Sequence, residues 1–263
     1  METAVFDSLA GQYDDTFTFT EVGKKQRNSV WKLLTASGLL SKKRSILEVN
    51  CGTGEDAIRF AAMGHTVLAT DISAEMINIC TQKLPYCKGE LEFLQAGLHQ
   101  VDTLEDGNQF DLIFSNFGGL NCLSEIELSD FLDDVWDLLP SGGSLVMVIM
   151  PAFCIWETFY YLLKGSFTTA FRRLQNPAQA IIGSHIFPVY YYNPYKLIKI
   201  ARTKFYKYRL APVGLFLPPS YLTHFFSNKP GLLKLLEKLE NIFNRVALLA
   251  CLSDHYYLHL VKK

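Results

Sequence analysis

Two glycines and a small set of acids carry the first chemical suggestion in this 263-residue chain. Residues 45–73 read SILEVNCGTGEDAIRFAAMGHTVLATDIS. An apolar run leads into Cys51-Gly52-Thr53-Gly54, and a helix-like stretch follows. Gly52 and Gly54 let backbone approach a ligand where a Cβ would collide. Asp71 closes a second apolar run, 23 residues after Glu48. An acid at that place accepts hydrogen bonds from a ribose diol. The dinucleotide pattern GxGxxG is not met: starting at Asn50, only its middle glycine, Gly52, is present, with Glu55 in the last place. No Lys follows the glycines, which excludes a P-loop. Glu48, Glu55 and Asp56 would repel a pyrophosphate and attract a cation. The chemistry implied is recognition of a cationic, ribose-bearing cofactor.

These residues need a strand-to-helix scaffold. Runs at 45–49, 66–70, 91–95, 112–115 and 144–149 read as strands, and 56–63, 74–83 and 127–139 as helices. Alternation at this spacing predicts βαβ units, a parallel sheet and right-handed crossovers. Ser73 is placed to cap the 74–83 helix. The glycine loop then lies at the carboxyl edge of the sheet, where open α/β sheets bind ligands.

The segment Glu48-Val-Asn-Cys-Gly-Thr-Gly54 resembles the cofactor motif of class I S-adenosylmethionine-dependent methyltransferases, an acid followed by a glycine-rich stretch. Asn50 stands where that family usually has glycine; Asn tolerates left-handed backbone angles better than most residues. Asp71-Ile72 and Met76 resemble the ribose-binding strand end and the helix after it. Gln95-Ala96-Gly97 resembles the turn beside the adenine, without its usual acid. The stretch from Phe110 to Asn116 is similar to the strand that ends beside the reactive methyl, and Phe6 to Asp14 to the helical cap with its contact Tyr13. The resemblance covers roughly residues 6–150. It implies a cofactor site of Tyr13, Arg27 (toward the cofactor carboxylate), Glu48, Asn50, Gly52, Gly54, Asp71, Ile72, Met76, Ala96, Gly97 and Asn116. It also implies S-adenosyl-L-methionine as cofactor, with no metal. The fold implied is a three-layer, Rossmann-like, seven-stranded, mostly parallel sheet with an antiparallel C-terminal strand.

The expected layout is a helical cap at 1–40, a cofactor core at 41–150, a helical and aromatic lid insertion at 151–200, and sheet closure at 201–263. After Pro151, helices are expected at 153–163, 167–174 and 231–248, and strands at 186–192, 204–210 and 255–261. This part holds 22 of the 35 aromatics, which suits an apolar pocket for a flat acceptor. His185 is the expected catalytic base, ahead of His224 and His255, because histidine titrates near neutrality. A base is optional, because a sulfonium is already a good leaving group and placing the acceptor matters most. Arg172 and Arg173 suit an acidic group on the substrate.

The net charge of −1 hides a split: 10 basic and 22 acidic residues lie in 1–150, against 15 basic and 4 acidic in 151–263. Dispersed Lys and Arg argue against a nucleic-acid partner. Asn116 is followed by Phe117-Gly118 rather than Pro-Pro. The amino-group nucleic-acid and protein methyltransferase signature is therefore absent. Residues 143–163 are long enough to cross a bilayer, but Pro151 divides them into a strand and a helix, so no membrane span is expected. The acidic N-terminus lacks a secretory h-region, and six irregularly spaced cysteines read as reduced thiols of a cytoplasmic protein. The expected function is methylation of a small, aromatic or apolar metabolite, first at oxygen, with a homodimer allowed. The alternatives are an RNA or protein methyltransferase and a non-catalytic cofactor-binding protein.

Overall fold

A computed structural model describes residues 3–104, 109–182 and 185–263. The parallel strands are β1 (Ser45–Val49), β2 (Thr66–Asp71), β3 (Glu90–Gln95), β4 (Leu112–Ser115) and β5 (Ser144–Ile149). A separate hairpin follows, β6 (Ala178–Ile182) and β7 (His185–Val189). Then β8 (Phe205–Val213) and β9 (His255–Lys262) complete the main sheet, whose order is β3-β2-β1-β4-β5-β9-β8. β9 runs antiparallel between β5 and β8. This is the seven-stranded, mostly parallel arrangement expected, and the order reverses beside β1, where a crevice opens between the β1 and β4 loops.

Alternation along the strands sorts side chains onto two helical layers. Leu47, Ile113, Leu145 and Met147 face one core with α5 (Glu125–Leu138) and α8 (Pro194–Ala201). Ile46, Phe114, Val146 and Val148 face the other, with α2 (Glu21–Ala36) and α3 (Glu55–Ala62). Burial on both faces is why these strands read as continuous apolar runs. α4 (Ala74–Lys83), which follows β2, joins the second layer through Cys80 and Ile77, whereas α1 (Thr3–Tyr13) contributes to neither core.

The elements after β5 are α6 (Ile155–Leu163), α7 (Phe167–Ala170), the hairpin and α8, then α9 (Thr223–Ser227) and α10 (Pro230–Phe243) between β8 and β9. Leu197 and Ala201 of α8 are buried in the sheet core. The helix expected at 231–248 stops at Phe243, and a short 3-10 turn, Ala247–Cys251, follows. α5 starts two residues earlier than expected. Ser124 forms a capping box with Glu127, whose carboxylate accepts from the Ser124 N–H at 2.7 Å. The apolar run at 143–163 is divided as expected into β5 and α6, and among the described residues no helix is long and apolar enough to cross a membrane.

Part of the charge split is matched across the two parts of the chain. Lys196 reaches Glu125 at 2.5 Å, and Lys204 pairs with Asp133. The Lys262 ammonium donates to the Trp136 and Leu139 carbonyls at 2.5 and 2.6 Å, closing the C-terminal end of α5.

Candidate functional site

At the end of β1, Asn50 adopts φ 49°, the left-handed region its side chain tolerates. Gly54 is sterically required: it has φ 82°, and a Cβ there would stand 2.8 Å from the Phe93 ring and 2.9 Å from the Cys80 thiol. Between them the Gly52 N–H donates to Asp71 Oδ2 at 2.8 Å, and the Ser73 N–H donates to Oδ1 at 3.0 Å. Asp71 thus stands at the end of β2 with a backbone donor on each oxygen, and it lines the cleft. Burial pushes its carboxyl above the ordinary range, while the amides of Ser73 and Gly52 pull it back. Ser73 caps α4 as expected, accepting from the Met76 N–H at 3.1 Å.

Asp56 is the hub that sequence reading missed. It is buried, and three donors from distant segments converge on it: the Arg27 guanidinium, the Trp31 indole N–H at 2.6 Å and the Asn116 amide at 2.7 Å. Arg27 also lies over the Phe117 ring, 5.3 Å from its centroid. Arg27 was expected to face a cofactor carboxylate. Instead it is paired with Asp56 and does not line the cleft, because the buried carboxylate takes the guanidinium. Glu48 is likewise behind the loop rather than in the cleft: it is 2% exposed. Burial, followed by the Asp56 charge, pushes its carboxyl well above the ordinary range. The Asn116 amide is oriented by Asp56, which leaves its Oδ1 buried without a hydrogen bond among the described residues.

α1 is tied across the strand ends. Ser73 Oγ donates to Asp7 at 2.5 Å, and Thr53 Oγ1 to Asp14 at 2.6 Å. Lys83 bridges Asp14, Glu55 and the Thr53 carbonyl at 2.8–2.9 Å. No sequence motif marks this clamp, since its partners lie up to 69 residues apart. It sets Tyr13 over the loop, its ring 3.7 Å from where a Gly52 Cβ would be. Burial pushes the Tyr13 hydroxyl up to about 12 against the pull of Arg27, so it stays protonated.

These elements enclose a cleft of about 470 Å³. Of the expected residues, Tyr13, Asn50, Gly52, Asp71, Ile72, Met76, Ala96 and Asn116 line it. Arg27, Glu48, Gly54 and Gly97 do not; Gly97 is replaced by its neighbours Leu98 and His99. The Gln95 amide donates to the Ile72 carbonyl at 3.2 Å, away from the lining. The far wall is the hairpin and its return: Ala180, Phe187, Val189 and Tyr191, with Met150 and Leu123 beneath. Phe187 meets Phe6 of α1 edge to face at 5.8 Å, so cap and hairpin touch above the cleft. His185 shares the inner face of β7 with Phe187 and Val189 but sits at its outer end, and it is not in the lining. The expected base is therefore displaced: strand alternation aims it inward, but its position two residues beyond Phe187 carries it past the enclosed space. His224 is exposed on α9. His255, at the start of β9, is buried beside Asp254 at 3.3 Å. Neither lines the cleft.

The family model described as Methyltransferase domain matches residues 46–143. A demethylmenaquinone methyltransferase of Clavibacter sepedonicus is 30% identical over 146 residues, 55% of this chain and 56% of that protein. The putative methyltransferase YqeM of Bacillus subtilis (strain 168) is 31% identical over 157 residues, 59% of each chain. The matched stretch thus spans little more than half the length of these relatives. Among solved structures, magnesium protoporphyrin IX methyltransferase from Synechocystis PCC 6803, with bound S-adenosylhomocysteine, superposes with a TM-score of 0.61 at 17% identity, covering 100% of both chains. At that identity the likeness establishes the fold. Residues 46–143 thus match the methyltransferase-domain model, and the sheet around them has the fold of a solved S-adenosylmethionine-dependent methyltransferase.

Proposed function

We propose that the protein transfers the methyl group of S-adenosylmethionine to a small, apolar or aromatic acceptor, with oxygen as the first candidate atom. The observation that carries this reading is a single cleft with two unlike ends. One end holds the Asp71 carboxylate, the Gly52 backbone and the unpartnered Asn116 Oδ1; the other is hydrophobic. The donor set fits the cofactor. The Asp71 carboxylate suits a ribose diol, and Ile72, Met76 and Leu98 form an apolar slot for a purine. Asn116 Oδ1 is an acceptor without a donor, which an ammonium group satisfies. When bound, this cofactor supplies a methyl group activated by a sulfonium leaving group.

The chain's own part is positioning and enclosure. Asp56 fixes Asn116, and the Asp7 and Asp14 contacts hold α1 over the loop. The Phe6–Phe187 contact joins cap and hairpin over the cleft, which makes the hairpin the wall that orients the acceptor. The relative named for demethylmenaquinone supports a ring-bearing acceptor for this chain too. The pairing of Lys196, Lys204 and Lys262 with α5 argues against a continuous basic track for RNA.

Calorimetry with S-adenosylmethionine tests the cofactor half: binding is expected in wild type and weakened by about 1–3 kcal/mol in Asp71→Ala. No binding at millimolar ligand would remove the proposal. Release of S-adenosylhomocysteine across a panel of small hydroxyaryl compounds, run beside bulk tRNA, tests the acceptor half. Turnover with tRNA alone would overturn it.

A further inference from the structure

Arg172 and Arg173 are adjacent in sequence and opposite in fate. Arg173 is buried within a closed ion network: Nε donates to Glu157 Oε2 at 3.1 Å, Nη1 to the Asp254 carbonyl at 2.8 Å, and Nη2 to Asp254 Oδ1 at 2.7 Å. All its charge is matched inside the protein. Arg172 gives only its Nε to this network, donating to Glu157 Oε1 at 2.5 Å. Its two Nη groups make no hydrogen bond among the described residues, and its side chain forms part of the cleft wall.

The anchoring is firm. Glu157 is 1% exposed, and α6, which carries it, is bound to α7 by the Thr158 hydroxyl, which donates to the Ala170 carbonyl at 3.0 Å. A guanidinium held through Nε presents its Nη pair in one plane, the fork that matches a carboxylate. Tyr191 stands beside it in the same wall, under the Arg173 guanidinium at 5.2 Å. Burial pushes its hydroxyl above the ordinary value, so it remains a donor. Among the described residues no other Lys or Arg lines the cleft, and the surrounding wall is apolar, formed by Ala180, Phe187 and Val189. The two arginines and the Glu157 and Asp254 carboxylates balance one another, so the wall offers a hydrogen-bonding fork without surplus charge, and a monoanion is less costly to bury there than a dianionic phosphate.

Building on the proposed methyl transfer, we propose that the acceptor carries a carboxylate, which Arg172 grips through its free Nη groups with Tyr191 as second donor. The substrate class is an apolar, ring-bearing carboxylic acid in its monoanionic form. Arg172 is a specificity determinant and takes no part in holding the cofactor.

The test uses the full chain loaded with S-adenosylhomocysteine and titrated with benzoate, benzamide and phenyl phosphate. Benzoate is expected to bind about tenfold or more tightly than benzamide, the scale of a charge-assisted hydrogen bond. Arg172→Gln should abolish that preference with cofactor affinity unchanged, and Arg172→Lys should restore part of it. Should Arg172→Gln fail to fold, Tyr191→Phe decides, with an expected several-fold loss for benzoate and none for benzamide. Equal binding of benzoate and benzamide by wild type would overturn the proposal, as would a preference that survives both variants, or tighter binding of phenyl phosphate. Failure of the loaded cofactor product to bind wild type would instead sink the methyl-transfer reading, so the two failures are distinguishable.

Discussion

The side chain of Asn50 occupies the space in which Gly119 lacks a Cβ. A Cβ on Gly119 would stand 2.3 Å from Asn50 Cγ and 2.7 Å from Asn50 Cβ. From that niche Asn50 Oδ1 accepts from the Ser115 hydroxyl at 2.7 Å, and its amide donates to the Asn116 carbonyl at 3.1 Å. The residue that departs from the usual glycine therefore stitches the β1 loop to the end of β4, and Gly119 is its complement.

Gly119→Ala should accordingly destabilise the protein by about 1–3 kcal/mol, the usual cost of overpacking, and weaken cofactor binding. Asn50→Gly vacates the niche at the cost of two hydrogen bonds. The double variant Asn50→Gly, Gly119→Ala should then be more stable than the sum of the single effects predicts. Denaturant unfolding of the four proteins measures this. Strict additivity would show that the two side-chain positions do not compete for space.

Glu48 gives a pH signature. In the unfolded chain its carboxyl ionises near the ordinary 4.5; in the folded chain burial and Asp56 hold the proton to well above that. Between the two values the folded state binds more protons, so its stability falls as pH rises from about 5. Glu48→Gln removes this loss. The variant should gain on wild type in urea unfolding as pH is raised from about 5 to about 8. Parallel stability curves would contradict the buried, protonated state.

Asp56→Ala should cost about 3–5 kcal/mol, because it leaves the Arg27 charge, the Trp31 N–H and the Asn116 amide without their shared acceptor. The released Asn116 should also lower cofactor affinity. Thermal unfolding with and without S-adenosylhomocysteine separates these effects. A variant as stable as wild type would mean that the three donors find other partners.

What was legible in the sequence follows from the range of the interactions involved. The central strands β1, β4 and β5 are buried on both faces, so their apolar runs announce themselves locally, as does the Ser73 cap. The turn from Val49 to Gly54 could be read because left-handed backbone demands Gly or Asn. Asp56 could not: its acidity suggested only repulsion of phosphate, while its three partners lie 25 to 60 residues away. The same range hides the Arg27–Asp56 pair, whose members lie 29 residues apart. His185 was chosen by type alone, without the hairpin register that carries it beyond the cleft. β6 was not anticipated, because Ala178-Gln-Ala-Ile-Ile182 lacks the alternating pattern that marks a half-buried strand.

Asn121 also escaped the sequence reading, and it supplies the sharpest separation of the two ends of the cleft. Its fully buried amide donates to the Met150 and Tyr190 carbonyls at 3.1 and 2.5 Å, and its Oδ1 accepts from the Met150 N–H at 2.9 Å. Its own carbonyl accepts from the Tyr190 N–H at 2.7 Å. The side chain therefore joins the end of β5 to the return from the hairpin, and its hydrogen bonds all lie on that side of the site. Asn121→Ala leaves the Met150 N–H and the Tyr190 carbonyl without this partner, while the Met150 carbonyl keeps the Tyr192 N–H at 3.2 Å, for an expected loss of about 1–3 kcal/mol. Amide hydrogen exchange should accelerate across 185–192 while 66–71 stays protected, and S-adenosylhomocysteine affinity should change by no more than a few-fold, because Asp71 and Gly52 keep their contacts. Equal deprotection of both segments would mean that the acceptor wall and the cofactor loop open as one unit rather than independently.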